Sequence, residues 1–154
     1  MTIEQDFITG KKGEDLVAEA LESAKVTVIY NEEEDKLLYY DLIACLDDPV
    51  TIEVKVDKVF PRTQNVLIEV RNVNTGNISG IKATTADLWA FVWGSDIHLA
   101  RTKDLKELVN SDIPFKIRVT NSKFHLYKFE NIKHLLHKVD STNILKTIKK
   151  LIGV

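Results

Sequence analysis

The chain has a single cysteine, Cys45, which rules out an internal disulfide and fits a reducing interior. Only three prolines and six glycines punctuate its 154 residues, and no repeat or low-complexity segment is present. No run of about 18 apolar residues occurs, so no membrane span is expected. Met1 to Lys12 carries acids early and has no apolar h-region, which argues against a secretory signal and for a cytoplasmic protein. There is no glycine-rich phosphate loop, so nucleotide-driven activity is not indicated. His134 and His137 lack a cysteine or acidic partner at zinc-site spacing and read as surface residues.

What is present is an ordinary globular composition, 44% apolar and 29% charged, sized for one domain over 1–154. The net charge of −2 conceals an asymmetry. Residues 116–154 hold nine Lys/Arg against two acids, a net of +7. The rest hold twelve against twenty-one, a net of −9. A basic end beside an acidic remainder suits a polyanion-binding surface next to a carboxylate-rich site, and equally a solvated charged face.

Periodicity predicts a mixed α/β chain. Leu16, Val17, Ala20, Leu21 and Ala24 recur at helical spacing after Gly13 and Glu14. Strand patterns follow at 26–30, 39–46, 50–57, 66–71, 88–93 and 97–101, with an acidic loop at 31–36. Asp47-Asp48-Pro49 reads as a turn, 72–79 as a loop and 83–86 as a short helical turn. A helix is expected from Thr102 or Asp104 to near Asn110, then a hairpin about Asn121-Ser122. Asn131 is read as capping a helix through Lys138, and Ser141 as opening a last helix through Ile152. The apolar stripe of that helix has two uses open to it, packing on the domain or forming a homodimer.

Chemistry concentrates around the turn at Asp47. Alternation places Asp41 on one face of its strand with Ile43 and Cys45. On the next strand Thr51, Glu53, Lys55 and Asp57 share a face, and Ile52, Val54 and Val56 take the other. Packing the apolar faces together puts Asp41, Glu53 and Lys55 on the reverse side. They meet there only if the turn holds an odd number of residues. A three-residue turn would pair Asp41 with Lys55 and leave Glu53 one diagonal step away, with Cβ atoms about 5–8 Å apart. A divalent cation such as Mg²⁺ relieves the repulsion between two such carboxylates and takes water and phosphate oxygens besides. With a lysine beside the attacking water, this set suits phosphodiester hydrolysis. The plain alternative for Glu53 and Lys55 is a surface ion pair worth about 0.2–1 kcal/mol.

The order of these pieces resembles the PD-(D/E)XK nuclease superfamily. A helix with Glu14 precedes a strand with Asp41 and then Glu53-Val54-Lys55. After them come Asn65-Val66-Leu67-Ile68-Glu69, Ser79-Gly80-Ile81 and Thr84-Thr85-Ala86-Asp87-Leu88-Trp89, as in small phage and bacterial members. The likeness covers about residues 10–110, with Tyr40 where the superfamily name has proline, and leaves 111–154 as a basic C-terminal extension.

The resemblance implies a restriction-endonuclease-like mixed β-sheet flanked by helices, and a Mg²⁺-dependent deoxyribonuclease in which Mn²⁺ substitutes. Such a protein would be intracellular, including a phage protein made in a bacterial host. Asp41 and Glu53 would be metal ligands, with the Val54 carbonyl a third, and Lys55 would act on the water. Glu14 would reach the cluster from its helix, or else simply complement the helix dipole. Glu69 would approach the site. Lys82, Thr84 and Thr85 would meet a substrate phosphate, against ordinary turn formation for the threonines. Lys11 and Lys12, with Lys146, Lys149 and Lys150 of the tail, would contact the DNA backbone. Trp89, Phe91 and Trp93 read as packing rather than as base-stacking platforms. Two rivals remain: a non-catalytic DNA-binding or assembly protein on the same fold, and an α/β interaction domain whose charged sheet face is merely solvated.

Overall fold

Strand Leu88–Trp93 (β5) is buried at every residue, which requires cover on both of its faces. The computed structural model, which describes residues 3–32 and 40–153, supplies that cover from two layers. β5 lies inside a six-stranded sheet of order β1-β2-β3-β5-β6-β9. The other members are Thr27–Tyr30 (β1), Leu42–Cys45 (β2), Val50–Val56 (β3), Asp96–Arg101 (β6) and His137–Val139 (β9). All neighbours are antiparallel except β3 and β5, which run parallel with Glu53 opposite Trp89 and Lys55 opposite Phe91.

One face of this sheet packs on helices Ile3–Ser23 (α1) and Ile144–Leu151 (α5). Leu42, Ala44, Ile52, Val54, Leu88, Ala90 and Leu99 meet Val17, Leu21, Ile144 and Ile148 there. Each fully buried Leu or Ile contributes about 1.5–3 kcal/mol by leaving water. The other face carries Trp89, Phe91, Trp93 and Ala100. It packs on a three-stranded antiparallel sheet of order β4-β8-β7, made of Asn65–Asn72, Ser122–Lys128 and Lys116–Val119. Helix Thr102–Ser111 (α3) adds Leu105, Leu108 and Val109 to that second core. Two short helices, Phe60–Thr63 (α2) and Phe129–Ile132 (α4), close its ends with Phe60 and Ile132. Among the described residues no helix is long and apolar enough to cross a membrane.

Several expectations are corrected. The first helix begins at Ile3, well before Gly13. The turn expected at 83–86 is instead a 3-10 turn over Gly80–Lys82, and residues 84–86 are irregular. The helix expected from Asn131 to Lys138 stops early. α4 runs into a 3-10 turn over Lys133–Leu135, and His137–Val139 then becomes a strand paired with β6, because that sheet edge offers unpaired backbone groups. α5 begins at Ile144 rather than at Ser141. Its apolar stripe is spent inside the first core, which leaves its buried residues unavailable to a dimer. Residues 111–154 are no appendage, since they supply strands to both sheets. The start of the expected strand at Tyr39 and most of the acidic loop at 31–36 lie outside the described residues.

Candidate active site

The ladder between β2 and β3 pairs Ala44 with Val50, Ile43 with Thr51 and Leu42 with Ile52, and then stops. Asp41 stands one step beyond, so the residue it faces is Glu53 rather than Lys55. This corrects the expected register by one pair. Five residues, 45–49, lie between the last paired residues, so the odd count needed for a shared face holds.

Past the end of the ladder the Asp41 side chain replaces a backbone rung. Its Oδ2 accepts the Val54 N–H at 2.7 Å, while its own N–H donates to the Ile52 carbonyl at 2.9 Å. A charge-assisted bond of this kind holds a carboxylate in one place. In an extended strand a residue's N–H and C=O turn to the same neighbour, so the Val54 carbonyl is directed to Asp41's side.

Glu53 is nearly enclosed, its side chain 13% exposed. Its Oε1 lies 3.1 Å from Lys55 Nζ, and its Oε2 is buried without a hydrogen-bond partner. A partnerless buried carboxylate oxygen costs free energy unless a cation or donor reaches it. Lys55 keeps 40% of its surface and sits 5.4 Å from the Trp89 ring centre. Burial alone would lower its pKa. The charge and hydrogen bond of Glu53, then Asp41 and Glu69, outweigh that and raise it above the ordinary lysine value. Lys55 is therefore an ammonium at neutral pH, a donor and a positive charge beside two carboxylates.

Glu69, on β4, does come to this place. With Lys55, Asp57 and Trp89 it lines a cavity of about 270 Å³ between the two sheets. Gly80, at φ +56°, is what lets the 80–82 turn lie against it, since a Cβ there would overlap the Glu69 carbonyl. The other expected site residues are placed as follows. Glu14 lies on α1, which packs on the opposite face of the sheet, and its charge acts on the Tyr30 hydroxyl. Burial, then the bond to Asp15 at 2.8 Å, raises that hydroxyl's pKa above the ordinary value. Lys11 is 3.6 Å from Asp15 and lies over the Tyr30 ring, and Lys12 is exposed. Lys82 and Thr85 are exposed. Thr84 is 2% exposed and its hydroxyl accepts the Ala86 N–H, so it shapes the turn and is not available to a phosphate. Asp87 clasps Thr51 through its backbone and side chain and ties β5 to β3.

The sequence reading left two residues of this place without a role. Asp57 was legible as the last member of the Thr51, Glu53, Lys55 face. Its Oδ1 accepts the Val59 and Phe60 N–H groups, and its Oδ2 is buried and partnerless. Phe124, from β8, carries no local signal because it arrives through a sheet built by the C-terminal third.

Among the described residues no three His, Cys, Asp or Glu side chains form a closed metal cage. The donor set is instead a carboxylate pair with one unsatisfied buried oxygen and a nearby carbonyl. That set fits Mg²⁺, which keeps several waters and takes few protein oxygens.

No protein-family model matches the chain, and no curated protein matches it. Among solved structures it is similar to a bacterial homing endonuclease, at 11% identity and a TM-score of 0.52, over 77% of this chain and 75% of the other. At that identity the likeness is one of fold: a mixed α/β arrangement, a mostly antiparallel sheet flanked by helices, shared with a nuclease.

Proposed function

We propose that this chain is a divalent-metal-dependent deoxyribonuclease of the PD-(D/E)XK type. The observation that carries the reading is the meeting of Asp41, Glu53 and Lys55 on one sheet face, with Glu53 Oε2 buried and unsatisfied. Fold likeness to a homing endonuclease supports DNA as the polymer.

Asp41, Glu53 and the Val54 carbonyl would hold Mg²⁺, which when bound acidifies a water and offsets charge on phosphorus. The chain's own groups do the remainder. The bond from Val54 N–H fixes Asp41, so the carboxylate need not reorganise as charge develops. Lys55, held protonated by Glu53, donates to the attacking water or to a phosphate oxygen and orients it. The aromatic floor of Trp89 and Phe91 keeps bulk water away from one side and strengthens these interactions.

The test is cleavage of plasmid, linear duplex and single-stranded DNA with Mg²⁺, Mn²⁺ or chelator. Cleavage is expected with either metal and not with chelator. Glu53→Gln and Lys55→Ala are expected to lower the rate by about 10²-fold or more, with far-UV circular dichroism unchanged. Full cleavage by Glu53→Gln would refute the assignment. DNA binding without cleavage under any metal would favour the non-catalytic binding protein.

A further inference from the structure

The cavity beside Lys55 has a composition that phosphodiester hydrolysis does not call for. Its lining includes Trp89, Phe91, Trp93 and Phe124, with Asp57 and Glu69. Three of these rings are engaged with other rings. Trp89 meets Phe91 edge to face, Phe91 stacks on Trp93, and Trp93 stacks on Phe60 at 3.6 Å. Phe124 has no ring partner among the described residues, although it is only half-buried and faces the same space.

Two lining residues also carry buried polar atoms with no partner, the acceptor Asp57 Oδ2 and the donor Trp89 Nε1. Buried polar groups are ordinarily satisfied, so an unmatched acceptor and donor in one small cavity call for a polar occupant. At about 270 Å³ the cavity is below the range of about 300–1,000 Å³ that encloses a drug-sized ligand. It has room for a planar ring and not for a ring with its sugar and phosphate.

We infer that the cavity holds one unpaired nucleobase of the DNA strand, from a nucleotide adjoining the scissile phosphate. The base stacks on Phe124, gives an N–H to Asp57 Oδ2 and accepts from Trp89 Nε1. Its sugar and phosphate stay outside, beside Lys55 and Glu53. The substrate class that follows is DNA with an unpaired or readily unstacked base near the cut, since taking a base out of a stable duplex costs a few kcal/mol. This rests on the nuclease reading and extends it.

The chain contains two tryptophans, and both line the cavity, so intrinsic fluorescence reports on it directly. The experiment titrates the full chain, in chelator, with three oligonucleotides. One is a paired duplex, one the same duplex with a single bulged base, and one a duplex with an abasic site in place of that base. The bulged duplex is expected to quench the tryptophans several-fold more than the other two and to bind about tenfold more tightly, as one stacked base would. Phe124→Leu, which keeps apolar volume but removes the ring, is expected to remove most of that advantage. Asp57→Asn keeps the acceptor for Val59 and Phe60 while turning the inner position into a donor. It is expected to change which bulged base binds best.

Equal quenching by bulged and abasic duplexes would overturn the proposal and leave a water-filled void. So would base preferences unchanged in Asp57→Asn. If the chain nevertheless cuts DNA with Mg²⁺, the nuclease reading survives that failure. If it neither binds nor cuts DNA, both fall.

Discussion

Asp41 performs two tasks that one substitution would confuse and two would separate. Asp41→Asn keeps an oxygen for the Val54 N–H and loses the negative charge. It is expected to fold with little change in urea stability while Mn²⁺ affinity, read by electron paramagnetic resonance, falls at least about tenfold. Asp41→Ala also strips the Val54 N–H of its partner, and should cost about 1–3 kcal/mol in the same denaturation experiment. Equal stabilities for the two variants would mean that the bond to Val54 carries no weight. At this scale much of the site was legible. Alternation alone put Asp41, Glu53 and Lys55 on one face, because side chains reverse at every residue of a strand. The offset was not legible, since an odd turn of three or of five satisfies the same parity. Phe124 was beyond reach as well, because its approach to Lys55 depends on how two sheets stack rather than on any local pattern.

Among the elements, α1 shows how tertiary contact overrides local preference. Gly10 and Gly13 argue against helix, and the sequence pattern accordingly begins only at Gly13, yet the helix runs from Ile3. Gly13 is there because α1 presses against β3, and a Cβ at that position would overlap the Val56 side chain and touch Val54. Gly13→Ala therefore sets a propensity gain of up to about 1 kcal/mol against an overpacking cost of about 1–3 kcal/mol. Val56 is branched at Cβ and has little room to turn aside, so net destabilisation is expected, read as a lower urea midpoint. A higher midpoint would show that the helix can lift from the sheet at no cost. β9 makes the same point in reverse. Residues 137–139 had a helical reading, and the open edge of β6 recruits them as a strand.

For the molecule as a whole, the histidines set an acid limit. His98 lies 4.6 Å from the Trp93 ring, and its Nδ1 is buried without a partner. Burial lowers its pKa from 6.5; Asp96 opposes this and Lys138 adds to it. His125 and His137 are lowered chiefly by burial too. A depressed pKa means that the unfolded chain binds the proton first. The stabilisation is thus present above about 6.5 and is lost as pH falls through the folded values. The fall in melting temperature between pH 7.5 and 5.5 is expected to be smaller in His98→Leu than in the parent chain. An identical fall would remove His98 from the account.

The shared core of α1 and α5 has a kinetic meaning too. Val17 and Leu21 are covered by Ile144, Ile148 and Leu151 from the far end of the described chain. Closing so large a loop comes late and slowly, and neither helix is sheltered until both arrive. In native-state hydrogen exchange their amides should therefore be released together, in one opening, although nearly the whole sequence separates them.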